Sequence, residues 1–106
     1  MTAGPLKDYR LRPAAQRDLE AIWLFTAERW SPAQAEAYLK GLRATLDMLL
    51  GNPLIARERR DLAPGLRVHP YRSHIIIYRV ESDHLDVIRI RHGSEDWISD
   101  PAEGTS

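Results

Sequence analysis

Residues 13–53 read PAAQRDLEAIWLFTAERWSPAQAEAYLKGLRATLDMLLGNP, and this stretch decides the fold. In its first half Leu19, Ile22, Trp23, Thr26, Ala27 and Trp30 recur at three- and four-residue steps, which gathers them on one side of a helix. In its second half Ala35, Tyr38, Leu39, Leu42, Leu46 and Leu49 repeat the stripe, with Glu36, Lys40, Arg43 and Asp47 off it. Between the halves, Ser31 suits an N-cap, Pro32 the first helical position, and Gln34 completes a capping-box pattern. Gly51-Asn52-Pro53 stops the second helix, through a left-handed cap and a proline that cannot continue the ladder. The spacing therefore predicts two amphipathic helices forming a hairpin, each roughly 25 Å long. Helices of this length need a surface on which to bury their stripes.

Working outward, residues 1–5 read as a loose leader and Leu6 to Leu11 as a short strand of weak alternation. Pro13 opens the first helix without a good cap, because Arg12 lacks a short side-chain oxygen. Beyond the hairpin, Leu54 to Gly65 is polar and ends in the turn pair Pro64-Gly65, so it reads as a connection. Three strands follow, at Leu66 to His69, His74 to Val80 and Leu85 to Arg91. Ile75-Ile76-Ile77-Tyr78 lacks polar alternation, which predicts a central strand covered on both faces. The links Pro70–Ser73 and Glu81–His84 are short enough for antiparallel hairpins. The order β-α-α-β-β-β predicts an α+β domain over residues 6–100, a two-helix hairpin packed on an antiparallel sheet, with 101–106 a disordered tail.

Composition bounds the function. One hundred and six residues make one domain. Fifteen basic and fifteen acidic residues cancel, so overall charge proposes no polyanion partner. Residues 57–92 nevertheless hold eight Arg against five acids, which allows a local basic surface. There is no Cys, hence no disulfide framework and no thiolate metal site. No apolar run has transmembrane length and no signal peptide is visible, so a cytoplasmic location without membrane contact is the simplest reading.

The candidate chemistry is sparse. His69, His74, His84 and His92 lack metal-ligand spacing and read as surface histidines. Asp18 and Glu20 point different ways on a helix and read as a solvated face rather than an acid–base pair. No Gly-rich phosphate cradle is present. Arg67, Arg72, Arg79, Arg89 and Arg91, interleaved with Tyr71, Tyr78 and His92, could hold RNA by phosphate contacts and stacking. Exposed strand positions are the plainer reading of that set. Trp97 reads as a plug packing the closing segment on the sheet, or as a partner anchor.

Several motifs, taken in order, resemble a known family. They are Tyr9-Arg10-Leu11, Ala14-Ala15-x-x-Asp18-Leu19-x-x-Ile22-Trp23, Arg29-Trp30, Gln34-Ala35 and Tyr38. Pro64-Gly65-Leu66-Arg67, Ile77-Tyr78-Arg79-Val80 and Val87 to Gly93 leading to Asp96-Trp97 complete the set. Over residues 8–98 the chain resembles the ParE toxins of type II toxin–antitoxin modules, within the RelE/ParE superfamily. The resemblance implies a helical hairpin on an antiparallel sheet and inhibition of DNA gyrase by direct binding, so that cleaved DNA accumulates and growth arrests. It also implies neutralisation by a ParD-like antitoxin whose C-terminal segment wraps the toxin in a hetero-oligomer, and no cofactor, metal or catalytic residue. The RelE-like ribosome-dependent mRNA endonucleases typically carry an Arg early in the third strand, basic residues after the last strand and a closing Tyr. This chain offers Ile75, Gly93, Ser94 and Trp97 there, with Glu95 and Asp96 beside them, and acids at that place would repel RNA phosphates. The expectation is therefore a gyrase-binding toxin, with Arg89, Arg91, His92 and Trp97 as gyrase contacts. The expected antitoxin surface is Trp23, Trp30, Tyr38 and Leu42, with Arg67 and Arg72 meeting acidic residues. An mRNA endonuclease and a non-toxic interaction module are the alternatives.

Overall fold

In the computed structural model, which describes residues 6–99 and Pro101, the chain runs through six elements. They are β1 (Asp8–Leu11), α1 (Pro13–Arg29), α2 (Pro32–Gly51), β2 (Arg67–Tyr71), β3 (His74–Val80) and β4 (His84–His92). The expected leader at 1–5 and most of the expected tail at 101–106 lie outside the described residues.

The capping chemistry explains the hairpin. Arg12 gives α1 no side-chain cap, whereas Ser31 Oγ accepts from Gln34 N at 3.0 Å and starts α2. The end of α2 differs from the left-handed cap foreseen. Gly51 is still helical and Asn52 has φ −139°, so the steric demand of Pro53 on its predecessor ends the helix.

The β-α-α-β-β-β order and the α+β layering agree with the sequence reading, with strands in the order β1-β4-β3-β2. β2, β3 and β4 are antiparallel neighbours, but β1 joins β4 in parallel, Asp8 beside His84 and Leu11 beside Val87. The sheet is thus mixed rather than wholly antiparallel. The reason is topological. From β1 the chain crosses the helical layer to the far edge, then works back through two hairpins until β4 lies alongside β1. Arg12 carries the junction, donating from Nη2 to Asp86 Oδ2 at 2.8 Å.

The helices bury Ala15, Leu19 and Ile22 from α1 and Ala35, Leu39, Leu42, Leu46 and Leu49 from α2. All of these but Ala35 pack in one cluster with Ile76, Tyr78, Leu85, Val87 and Ile90. Tyr78 is fully buried, and its hydroxyl donates to Pro53 O at 2.8 Å, which satisfies the one polar atom it carries inward. A smaller cluster of Leu66, Ile77 and Ile88 fills the opposite face, with Trp97 packed against it. β3 is therefore central and covered on both faces, as its unbroken apolar run requires. The register shifts between Ile77 and Tyr78, so that Tyr78 pairs with Val87 and Ile77 with Arg89. The extra residue, Ile88, changes the alternation of β4: Val87 and Ile90 both face the helices although three residues apart.

Candidate functional site

The helical stripe is not wholly consumed by the core. Toward the C-terminal end of α1, Trp23 is only half-buried, and Phe25 and Trp30 are 62% and 65% exposed. Phe25 and Trp30 line a groove of about 700 Å³. One wall comes from Ile22, Phe25, Thr26 and Trp30, and Gln34, Ala37 and Tyr38 of α2 add to it. The other comes from Tyr71, Arg72, Ser73, His74 and His92.

Gly41 makes the second wall possible. A Cβ at this helical position would fall on the Tyr71 hydroxyl, so only glycine lets the tyrosine lie across α2. There Tyr71 donates to Tyr38 O at 3.1 Å and meets the Tyr38 ring edge-on at 5.1 Å between centroids. The chain then turns through Arg72, whose φ of 51° lies in the left-handed region. The turn sets His74 directly across from His92 on the neighbouring strand.

The polar end of the groove is a chain of contacts. Tyr38 Oη and His74 Nδ1 lie 2.7 Å apart, and the His74 and His92 rings meet edge-on at 5.1 Å. Ser94 N donates to His92 Nδ1 at 3.1 Å, with Ser94 Oγ 2.6 Å from the same atom. Burial, then the neighbouring His92, holds the His74 pKa below the ordinary histidine value. Burial likewise raises that of the Tyr38 hydroxyl. Among the described residues lining the groove, Arg72 is the one of permanent charge and none is Asp or Glu.

The expected antitoxin residues divide. Trp30, Tyr38 and Arg72 line the groove. Trp23 stands beside it, its indole N–H donating to Glu36 Oε2 at 2.9 Å. Leu42 is a correction: it has no exposed surface, because its position in the α2 stripe falls at the centre of the helix–sheet core. Arg67 turns inward and donates to Ala56 O at 2.6 Å.

The expected gyrase contacts divide as well. His92 is exposed, while Trp97 is half-buried with Arg59 over its ring at 6.0 Å. Arg89 and Arg91 are only 11% and 10% exposed at the side chain. Arg89 donates from Nε and Nη2 to the two Asp18 oxygens at 2.7 and 2.8 Å, and Arg91 Nε donates to Glu95 Oε1 at 2.7 Å. Both arginines brace the end of the sheet.

Two further corrections follow. Asp18 is not a solvated-face residue but a partner of β4. The histidines are not all on the surface either. His74 is half-buried in the groove, and His69 carries a buried Nδ1 without a hydrogen-bond partner among the described residues. Sequence reading also missed Phe25 and Gly41, and it took Tyr71 only as a stacking candidate for RNA. Phe25 lies off the stripe beside Trp30, a signal of apolar surface left unburied, while the Gly41–Tyr71 contact has no local signal at all. Among the described residues no group of three His, Asp or Glu side chains could hold a metal ion, and no helix is long and apolar enough to cross a membrane.

A helical hairpin on a four-stranded sheet, with aromatic side chains left open beside an arginine and two histidines, defines a small domain of α+β class. Comparison with known proteins narrows the class. Residues 9–97 match the family described as ParE toxin of type II toxin-antitoxin system, parDE. Toxin ParE1 of Mycobacterium tuberculosis is 42% identical over 85 residues, 79% of this chain and 87% of that protein. Toxin ParE1 of Caulobacter vibrioides is 35% identical over 89 residues, 84% of this chain and 92% of that protein. A solved structure described as a chromosomal ParDE TA system from P. aeruginosa superposes with a TM-score of 0.71 at 18% identity. It covers 83% of this chain and 96% of the other, a likeness of fold. The chain belongs to the ParE toxin family of type II toxin–antitoxin systems.

Proposed function

We propose that this ParE-family chain acts by binding. It inhibits DNA gyrase, and a cognate ParD-like antitoxin neutralises it within a hetero-oligomer. The observation that carries the reading is the open groove, where Phe25 and Trp30 stay exposed although buried aromatic surface would stabilise the fold. A half-apolar channel along a helical hairpin fits an amphipathic segment, the mode expected of an antitoxin tail. Trp30, Tyr38 and Arg72 are the antitoxin contacts proposed, with Trp23 at the margin. Gyrase engagement is assigned to the end of β4 and the closing segment, through His92 and Trp97. Arg89 and Arg91 support it by fixing that segment through Asp18 and Glu95.

The test is a supercoiling assay with purified gyrase. The expected result is loss of supercoiling and accumulation of cleaved DNA on adding this protein; gyrase that runs unaffected rejects the reading. One observation favours a second reading. Tyr38, His74, His92 and Arg72 converge in the groove, and groups of these types could serve cleavage of RNA at a 2′-hydroxyl. Ribosome-dependent mRNA cleavage, lost in H74Q and Y38F, would put this reading first.

A further inference from the structure

The groove is not uniform along its length. One end is apolar, walled by Phe25 and Trp30. The other presents His74, His92 and Arg72. Every charged or chargeable group lining that second end except the tyrosines is a potential cation, and Arg29 adds another at the rim, over the Phe25 ring at 6.0 Å.

Hydrogen-bond roles define what this end can hold. Ser94 N–H can only donate, so His92 Nδ1 is an acceptor and the His92 proton sits on Nε2. His74 Nδ1 faces a hydroxyl, which donates or accepts with equal ease. His74 can therefore take a second proton without losing its partner. Neither Nε2 has a hydrogen-bond partner among the described residues. The end of the groove thus offers two imidazole N–H donors and one guanidinium, a donor set for an oxyanion.

We infer that His74, His92 and Arg72 form a carboxylate subsite, which takes an Asp or Glu side chain of the segment whose apolar residues fill the Phe25–Trp30 end, and that His74 gains a proton when it does. The inference rests on the reading that a partner segment fills the groove, and it names the chemistry that segment must carry. Charge complementarity selects the occupant: cations, no lining carboxylate and an apolar continuation match an acidic, apolar peptide.

The groups facing His74 fix the direction of the pH effect. Tyr38 from α2, Tyr71 and Arg72 from β2 and its turn, and His92 from β4 surround it. The nearby acids, Asp18 on α1 and Glu95 beyond β4, favour the protonated form but are spent on Arg89 and Arg91. Burial, then the neighbouring His92, holds His74 itself neutral at neutral pH while the site is empty. A bound carboxylate raises the affinity of His74 for its proton, so binding takes up a proton and tightens as pH falls.

The probe is a library of random peptides displayed on phage, selected on the full chain at about pH 6. Retained peptides are expected to carry Asp or Glu beside Leu, Phe or Trp. A selected peptide should bind about tenfold more tightly at pH 6 than at pH 8, the worth of one protonation-dependent pair. Its Glu→Gln version should bind weakly and equally at both, a comparison that leaves the protein unaltered. H74Q should abolish the pH dependence, R72Q should weaken binding about tenfold at both pH values, and F25A should weaken it without changing the pH ratio. Peptides without acids, or Glu and Gln versions of equal affinity, overturn the subsite. So does retention of a single-stranded oligouridylate through Arg72 and His92 when no peptide is retained. Co-expression separates this from the antitoxin reading. A peptide with the full acid signature that leaves growth arrested supports the subsite and counts against an antitoxin there.

Discussion

Asp18 and Arg89 share two parallel hydrogen bonds, Nε to Oδ2 at 2.7 Å and Nη2 to Oδ1 at 2.8 Å, across the junction of α1 and β4. Asp18 Oδ2 also accepts from Ile90 N at 2.9 Å, two positions after the extra residue of the bulge. One carboxylate thus satisfies a guanidinium and a backbone amide that the disrupted ladder leaves over.

This double duty makes Asp18 a stability residue. D18A is expected to cost roughly 3 kcal/mol, because it takes the paired carboxylate from a nearly buried arginine and strands a backbone amide. Urea denaturation measures it, and a loss under about 0.5 kcal/mol would refute the clamp.

Gly41 supplies a reversal of sign. Gly→Ala inside a helix ordinarily gains about 1 kcal/mol. G41A is expected instead to destabilise by about 1–3 kcal/mol, since the methyl displaces Tyr71. In a double-mutant cycle with Y71A the penalty should disappear and the ordinary gain return.

Arg72 trades conformation against contact. R72G should stabilise by up to about 1 kcal/mol in thermal unfolding, relieving its left-handed backbone. The same change should weaken capture of acidic peptides. Unchanged stability would mean that the turn tolerates arginine without strain.

Two groups set the acid side of the stability profile. Burial alone would raise the Glu95 pKa, but the hydrogen bond and charge of Arg91 outweigh it and hold the carboxyl below its usual range. Its contribution is present above the unfolded carboxylate pKa and lost as pH falls through the folded one. His74, depressed by burial and then by His92, works higher up. The unfolded chain binds its proton first, so stability declines as pH drops below about 6.5. Denaturation midpoints across pH should show both declines; H74Q removes the upper one and E95Q lessens the lower.

What the sequence revealed and what it hid follow from the range of each interaction. Helix stripes, the Ser31 cap and the apolar run of β3 are local patterns, and all of them appear in the fold. The parallel edge was invisible because β1 is four residues of weak alternation, and nothing local specifies its neighbour. Leu19 and Trp30 share one stripe, yet one is sealed in the core and the other open. A stripe tells which side of a helix is apolar, not where the sheet beneath it ends. Asp18 and Arg89 lie 71 positions apart, so each read as an exposed charge on its own element. The groove itself depends on Gly41 meeting Tyr71, a steric fact that only assembly exposes.

The pairing of β1 with β4 also sets an order of events during translation. Arg12 waits 74 residues for Asp86, so the helical hairpin can associate long before its first strand finds a neighbour. His92 ends that same final strand, and Ser94, which orients it, comes later still. A nascent chain therefore owns the helical wall of its binding channel well before His92 completes the other. It becomes competent for a partner only once Ser94 has followed.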